Sequence, residues 1–317
     1  MKIRGEKMIA PKLQLGEEIR IVAPSDSMCT LKSHVSKKAL KILSKEFKVT
    51  QSKHCNGTRG EYSTNIVARV EDIHKAFEDP RVKMILACAG GYNVNQILEY
   101  LDYDLIRNNP KILCGFSDIT ALINAIYAKT GLVTYHGADF SVIGSTKDLN
   151  YTYGYFKKCL INEGPYFIEP SKDAKRYYAI QEGEAEGKIV GGNICTLNLL
   201  QGTEFMPDIT DKILFLEDQY STDEFFVCEF DRDLESLLQI QGVPSIKGLV
   251  FGRFDERSKM TMESVKQMIG TKKKLKDIPI AFNVDFGHMK EMVTFPIGGT
   301  ARLSVQGEMV NLEILEH

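Results

Sequence analysis

Apolar and polar positions alternate along this chain in two rhythms, that of a strand and that of a helix, and the two take turns. Glu18-Ile19-Arg20-Ile21-Val22-Ala23-Pro24 is a short β-branched run that stops at the turn-forming Pro24-Ser25-Asp26, which predicts a buried strand. Helical spacing follows from about Ser33 to Glu46, then a strand near Phe47 to Gln51. A polar loop, Asn56-Gly57-Thr58-Arg59-Gly60, leads into an amphipathic helix around Asn65 to Phe77. Val82 to Ala89 is a continuous apolar strand closed by Gly90-Gly91, and Asn95 to Leu101 returns to helical spacing. The rhythm repeats at Lys111 to Gly115, where a strand runs into Phe116-Ser117-Asp118 and a helix from Ile119 to about Lys129. Strands alternating with helices predict a mostly parallel sheet, whose ligand sites lie at the strands' carboxyl ends.

From about Glu163 to Glu186 the texture changes: Gly164-Pro165, Pro170, several charges and little periodicity read as a connection between domains. Beyond it, apolar strands are expected at Ile213 to Leu216, Gly248 to Phe251 and Ile280 to Val284, with helices over Asp231 to Gln241 and Met260 to Ile269. Ala301 to Val305 and Met309 to Leu315 alternate like a hairpin around Gln306-Gly307-Glu308. The chain therefore divides into an amino-terminal α/β domain over residues 1–165, a linker over 166–186 and a smaller carboxyl-terminal β/α domain over 187–317. Two domains also suit 317 residues, which exceed the usual size of one hydrophobic core.

Composition narrows the class. Hydrophobic residues at 43% and charged residues at 26% describe an ordinary globular protein, and no apolar run reaches the roughly 18 residues that a spanning helix needs. A net charge of -2 with scattered lysines and arginines argues against a nucleic-acid partner. The densest basic run, Lys272 to Lys274 with Lys276, reads as a solvated loop. Seven cysteines, an odd number and mostly set in apolar strings, read as reduced core thiols, and no Cys-x-x-Cys or His-x-x-x-His pair supports a metal. Lys2, Arg4 and Lys7 are followed by no apolar stretch, so a signal peptide is not expected and the cytoplasm is the expected address.

Gly115-Phe116-Ser117-Asp118 stands where a buried strand passes into a helix, the setting of a nucleophile elbow, although Ile119 occupies the place of the usual second glycine. The competing reading of Ser117 is a helix cap. Among six histidines His288 is best placed as base, since it follows Asp285-Phe286-Gly287 at the end of a strand; His136 is the reserve. Glu217, at the end of Ile213-Leu214-Phe215-Leu216, supplies the carboxylate that fixes an imidazole tautomer and balances its charge. The order serine, glutamate, histidine is one that such hydrolases use. Backbone N–H groups of Asp118, just after the serine, and of Gly91, on the neighbouring glycine turn, are the expected oxyanion donors.

Taken together, Gly90-Gly91-Tyr92-Asn93, the block Lys111 to Thr120, Gly191-Gly192-Asn193, Phe215-Leu216-Glu217-Asp218, and Gly287-His288 with Thr294-Phe295-Pro296-Ile297-Gly298 resemble the LD-carboxypeptidase family of serine peptidases, which includes the microcin C self-immunity proteins. The likeness runs from about Pro11 to the carboxyl terminus. It implies a Rossmann-like amino-terminal domain, a smaller β/α domain, a site between them, a homodimer and no cofactor. It also maps the family's catalytic serine, glutamate and histidine onto Ser117, Glu217 and His288, and its oxyanion amides onto Gly91 and Asp118. One branch of the family trims muropeptide tetrapeptides during wall recycling; the other cleaves an amide in microcin C and related aminoacyl nucleotides. The recycling branch tends to carry arginine where Ala89 stands here, and Asn93, Asn95 and Gln201-Gly202-Thr203-Glu204 look closer to the immunity branch. The chain has no Trp to stack on a nucleobase, a task left to Tyr or Phe. A non-catalytic muropeptide- or nucleotide-binding protein on the same fold is the alternative. A nicotinamide dehydrogenase is disfavoured because Ala23-Pro24-Ser25-Asp26 stands where a glycine fingerprint is needed, and a Cys-dependent amidotransferase because the elbow carries Ser.

Overall fold

The computed structural model describes residues 7–58, 62–219 and 225–317. Lys2 and Arg4 of the amino terminus, and Arg59 and Gly60 of the polar loop, lie outside them. Five parallel strands are laid down first: β1 (Glu18–Val22), β2 (Lys48–Gln51), β3 (Val82–Ala87), β4 (Ile112–Gly115) and β5 (Thr134–His136). Helices α1 (Ser33–Leu43), α2 (Ile66–Glu78), α3 (Tyr103–Asn108) and α4 (Ile119–Thr130) alternate with them, and α5 (Phe140–Ser145) and α6 (Leu149–Leu160) follow. Every residue of β3 except Lys83 is buried, which is why this strand reads as a continuous apolar run rather than an alternating one. The segment expected to turn helical at Asn95 does so as a 3₁₀ helix, Val94–Tyr100.

A second sheet holds β6 (Tyr166–Phe167), β7 (Tyr178–Gln181), β8 (Gly183–Asn193), β9 (Ile213–Glu217), β10 (Gly248–Gly252) and β11 (Ile280–Val284). Its helices are α7 (Ile194–Asn198), α8 (Phe226–Leu238) and α9 (Met262–Gly270). β8 to β11 run parallel, and the expected hairpin is β13 (Thr300–Gln306) and β14 (Met309–Glu316), turning at Gly307. Before it, β12 (Phe295–Ile297) leaves this half of the molecule and pairs antiparallel with β5, giving the first sheet the order β12-β5-β4-β3-β1-β2. The second sheet runs β6-β14-β13-β8-β9-β10-β11-β7.

Two local expectations change. The stretch expected to be linker contributes both outer strands of the second sheet, β6 and β7, and the start of β8; short, half-polar edge strands leave no alternation to detect. The basic run is not a free loop: Lys272 is buried against Asp231 and Glu235, and the Lys274 ammonium donates to the carbonyls of Leu238 and Val243, closing the carboxyl end of α8. Among the cysteines, Cys55, Cys88, Cys114 and Cys159 are buried while Cys29, Cys195 and Cys228 are exposed, and all are free. No helix among the described residues is long and apolar enough to cross a membrane.

The sheets meet along α4 and an aromatic seam. Thr120 Oγ accepts from Asn193 N–H at 3.1 Å and the Asn124 amide donates to Gly191 O at 2.8 Å, so the helix that follows Ser117 lies on the end of β8. Phe215, Phe286 and Phe295 are fully buried beside it, with ring centroids 4.8 to 5.7 Å apart. Burial of each ring is worth about 2–3 kcal/mol, so this seam stabilises the junction strongly. The close approach needs glycine at 191, whose φ is +142° and whose added Cβ would lie 2.0 Å from Phe215 O. Gly191→Ala is expected to lower stability by about 3 kcal/mol, whereas Gly187→Ala, in the same strand with nearest atoms at 3.3 Å, costs under about 1 kcal/mol; urea unfolding of the two variants checks the contrast.

Candidate active site

β4 ends at Gly115 and α4 begins at Ile119, which leaves three residues to reverse the chain. Ser117, in the middle, takes a φ of +60°, a left-handed conformation that a residue with a side chain adopts only at a cost of about 1–3 kcal/mol. That turn lifts the hydroxyl clear of the sheet. Ile119 does not spoil the elbow, because the room comes from the strand side: a Cβ on Gly115 would lie 2.8 Å from Ile119 Cγ2 and 3.0 Å from Ala87 Cβ. Gly90 crosses directly above, where an added Cβ would be 2.8 Å from Ser117 Cβ and 3.0 Å from its Oγ.

Ser117 Oγ lies 2.9 Å from His288 Nε2, and His288 Nδ1 lies 2.8 Å from Glu217 Oε2. The three side chains thus form one hydrogen-bonded chain that bridges the carboxyl ends of β4, β9 and β11. In this arrangement Nδ1–H donates to the carboxylate and Nε2 accepts from the serine hydroxyl, the tautomer that prepares Nε2 to take a proton. Glu217 is fully buried; Oε1 has no partner among the described residues. Glycines make its socket, since a Cβ on Gly252 would lie 2.8 Å from Glu217 Cβ and one on Gly287 2.7 Å from Oε2. Burial opposes the charge on Glu217, yet the His288 charge and hydrogen bond outweigh it and hold the carboxyl below its ordinary pKa. Burial likewise opposes charge on His288, and Glu217, helped by Asp218 and Asp139, raises it above the ordinary imidazole value.

His136, the reserve base, is brought to the same region but not into the chain. It is wholly buried, stacks on Phe295 at 4.7 Å, has neither ring nitrogen hydrogen-bonded among the described residues, and is pushed by burial down to about 4. Asp218 stands next to Glu217 in sequence but turns to the Asn193 amide at 2.9 Å and the Gln219 N–H at 2.7 Å. With Cys195 and Asp233 it forms a group whose potential ligand atoms lie within 4.8 Å of one another. Partial burial raises the Cys195 thiol, and burial takes Asp218 up to about 6.

The amide of Asp118 directly follows the serine and that of Gly91 belongs to the turn whose Gly90 packs on the serine, and neither donates a hydrogen bond among the described residues. Their placement depends on a knot that the sequence did not reveal. Buried Asp118 accepts from the Ser25 hydroxyl at 2.5 Å and the Val94 N–H at 2.8 Å, joining the loops after β1, β3 and β4. Buried Arg69, from α2, donates to Pro24 O at 3.1 Å, to Asn93 O and Oδ1 at 3.1 and 2.8 Å, and to Gln96 Oε1 at 2.9 Å. A second knot holds the histidine loop. Arg253 pairs with Asp285 at 3.1 Å and Glu291 at 2.9 Å, while Asp285 also accepts from Ser171 N–H at 2.7 Å, Ser171 Oγ at 3.0 Å and Tyr151 at 3.2 Å. Single buried charges of this kind carry no periodic signal in the sequence.

Residues 19–137 match the family model of the LD-carboxypeptidase N-terminal domain and residues 186–303 that of the LD-carboxypeptidase C-terminal domain. YocD of Bacillus subtilis, a protein named only as a candidate carboxypeptidase, is 46% identical over 314 residues, covering 93% of this chain and 96% of that one. The crystal structure of an MccF-like protein from Bacillus anthracis aligns with a TM-score of 0.95 at 45% identity, covering 98% of this chain and 100% of that one. The microcin C7 self-immunity protein MccF of Escherichia coli is 29% identical over 348 residues, covering 100% of this chain and 98% of that one. A structure of MccF in complex with glutamyl sulfamoyl guanosine aligns with a TM-score of 0.85 at 26% identity, covering 97% and 98%.

Because only neutral His288 can accept a proton, labelling of Ser117 by a fluorophosphonate should rise with pH through the His288 pKa, with a midpoint above the ordinary imidazole value of 6.5. Glu217→Gln removes the charge that raises that pKa, so any residual labelling shifts to lower pH; mass spectrometry of the labelled protein across pH measures both.

Proposed function

We propose, from the premise that this chain belongs to the LD-carboxypeptidase family, that it is a serine hydrolase cleaving an amide bond through an acyl-enzyme. The observation that carries the reading is the unbroken chain from Ser117 Oγ through His288 to buried Glu217, at 2.9 and 2.8 Å. His288 Nε2 takes the Ser117 proton as Oγ bonds to the carbonyl carbon, and the carbonyl oxygen becomes an oxyanion between the Gly91 and Asp118 amides. The amide C–N bond then breaks as Nε2 returns the proton to the leaving nitrogen. Water repeats the sequence against the ester and frees Ser117. Glu217 offsets the imidazolium charge at each proton transfer and stays ionised throughout.

For the substrate we favour the amide of an aminoacyl nucleotide over the L,D-bond of a muropeptide. Ala89, beside the glycine turn, leaves no cation there to receive a terminal carboxylate, and a relative covering the whole chain is an immunity protein solved with an aminoacyl sulfamoyl nucleoside. On the family pattern the protein acts as a cytoplasmic homodimer without a cofactor, its nucleophile in the amino-terminal unit and its glutamate and histidine in the carboxyl-terminal unit, whose sheet takes its outer strands from residues 166–186.

Offering the purified protein an L,D-linked tetrapeptide and an aminoacyl sulfamoyl adenosine side by side, with product masses as readout, tests both parts. The second compound is expected to be cut and the first spared. Ser117→Ala and His288→Ala are each expected to lower turnover by at least about 10⁴-fold while leaving the circular dichroism spectrum unchanged. Binding without turnover or serine labelling would support a non-catalytic ligand-binding protein instead.

A further inference from the structure

One carboxylate beside the glycine turn has no hydrogen-bond or ion-pair partner among the described residues. Asp26 follows β1, is half-buried, and is fixed at both ends of its backbone: its N–H donates to Gly90 O at 3.0 Å and its carbonyl accepts from Cys88 Sγ at 3.1 Å. Its side chain makes no hydrogen bond or ion pair among the described residues, in contrast to the other acids nearby. Asp118 is bound to Ser25 and Val94, Glu217 to His288, and Asp218 to Asn193 and Gln219. The terminal NH groups of Arg69 that form hydrogen bonds reach Pro24, Asn93 and Gln96, and not Asp26.

The position of this free carboxylate is specific. A Cβ built on Gly91 would lie 2.6 Å from Asp26 Oδ1 and 2.9 Å from its Cγ, so the carboxyl group rests against the residue whose amide is proposed to hold the oxyanion. A Cβ built on the adjoining Gly90 would lie 3.0 Å from Ser117 Oγ. A negative charge beside a developing oxyanion works against the reaction unless a cation neutralises it. Among the described residues no cation is supplied at this point: the segment Ala89-Gly90-Gly91-Tyr92-Asn93 carries no basic residue, and burial and Asp118 both raise the pKa of Asp26. The substrate is left to bring the cation.

We propose that Asp26 is a specificity-determining residue that receives an ammonium group on the acyl side of the scissile amide, so that the preferred substrate is a cationic aminoacyl compound. This rests on the amide-hydrolase reading and names the chemistry that the same site selects. The ammonium has two sources, the α-amine or a basic side chain, and the shared chemistry is a primary ammonium close to the carbonyl that Ser117 attacks.

The test uses the Ser117→Ala protein, so that binding is read without turnover, and calorimetry with alanyl, N-acetylalanyl, lysyl and norleucyl sulfamoyl adenosine. Alanyl is expected to bind more tightly than N-acetylalanyl by roughly tenfold or more if the α-amine is read, and lysyl more tightly than norleucyl by a similar factor if the side chain is read. Adding Asp26→Asn should abolish that ratio and leave within about twofold the affinity for the member of that pair that lacks the ammonium being read. Equal affinities within both pairs, an Asp26→Asn variant that keeps the ratio or weakens both members alike, or failure of all four compounds to bind would overturn the proposal. Failure of the hydrolase reading is separate: it would appear as no cleavage of any of the four by the wild-type protein, whatever the binding ratios.

Discussion

A carboxylate with no access to solvent is the constraint around which this molecule is arranged. Glu217 sits at the end of β9 with one oxygen bonded to His288 and the other unbonded among the described residues. Breaking a buried pair of this kind by removing one partner costs about 3–5 kcal/mol, so the histidine is as necessary to the glutamate as the reverse. The surroundings are built to keep the two together. Gly252 and Gly287 have no side chain because Glu217 occupies the space. Phe286, between Asp285 and His288, packs into the aromatic seam and fixes where the loop leaves the core.

The two sheets treat the serine and the histidine alike. Each side chain stands at the end of a parallel strand, where loops diverge and backbone groups run out of neighbours. At each place a buried ionic knot compensates: Asp118 with Arg69's strut on one side, Arg253 between Asp285 and Glu291 on the other. Ser117 is strained, and its left-handed backbone is held by α4 behind it and Gly90 above it. Rigid knots around the strained nucleophile turn give preorganisation.

Much of this was legible in the order of residues, and the reasons differ from part to part. The buried parallel strands announced themselves as apolar runs, as at Val82 to Ala87 and Ile213 to Leu216, because both faces are covered. Ser117, Glu217 and His288 were legible because each directly follows such a run or its turn, and the glycines beside them had to be glycine. What escaped notice obeys no period. β6 and β7 are short edges with mixed exposure, β12 is three residues long, and β5 is too brief to separate from the loop after Gly131. The partners of Arg69 and Arg253 lie on loops that meet only after the chain has folded, so a basic residue in sequence gives no hint of which carbonyl or carboxylate it will find.

The small strand β12 has a consequence for biosynthesis. It completes, from near the carboxyl terminus, a sheet that the ribosome began at Glu18, so β5 must wait for a partner emerging some 160 residues later. At about 5–20 residues per second that delay is on the order of ten seconds, during which Thr134–His136 offers an open edge to anything able to pair with it. The early half of the nascent protein is therefore a natural client for chaperones, and cutting the completed protein between its halves would leave the first of them with that edge bare again.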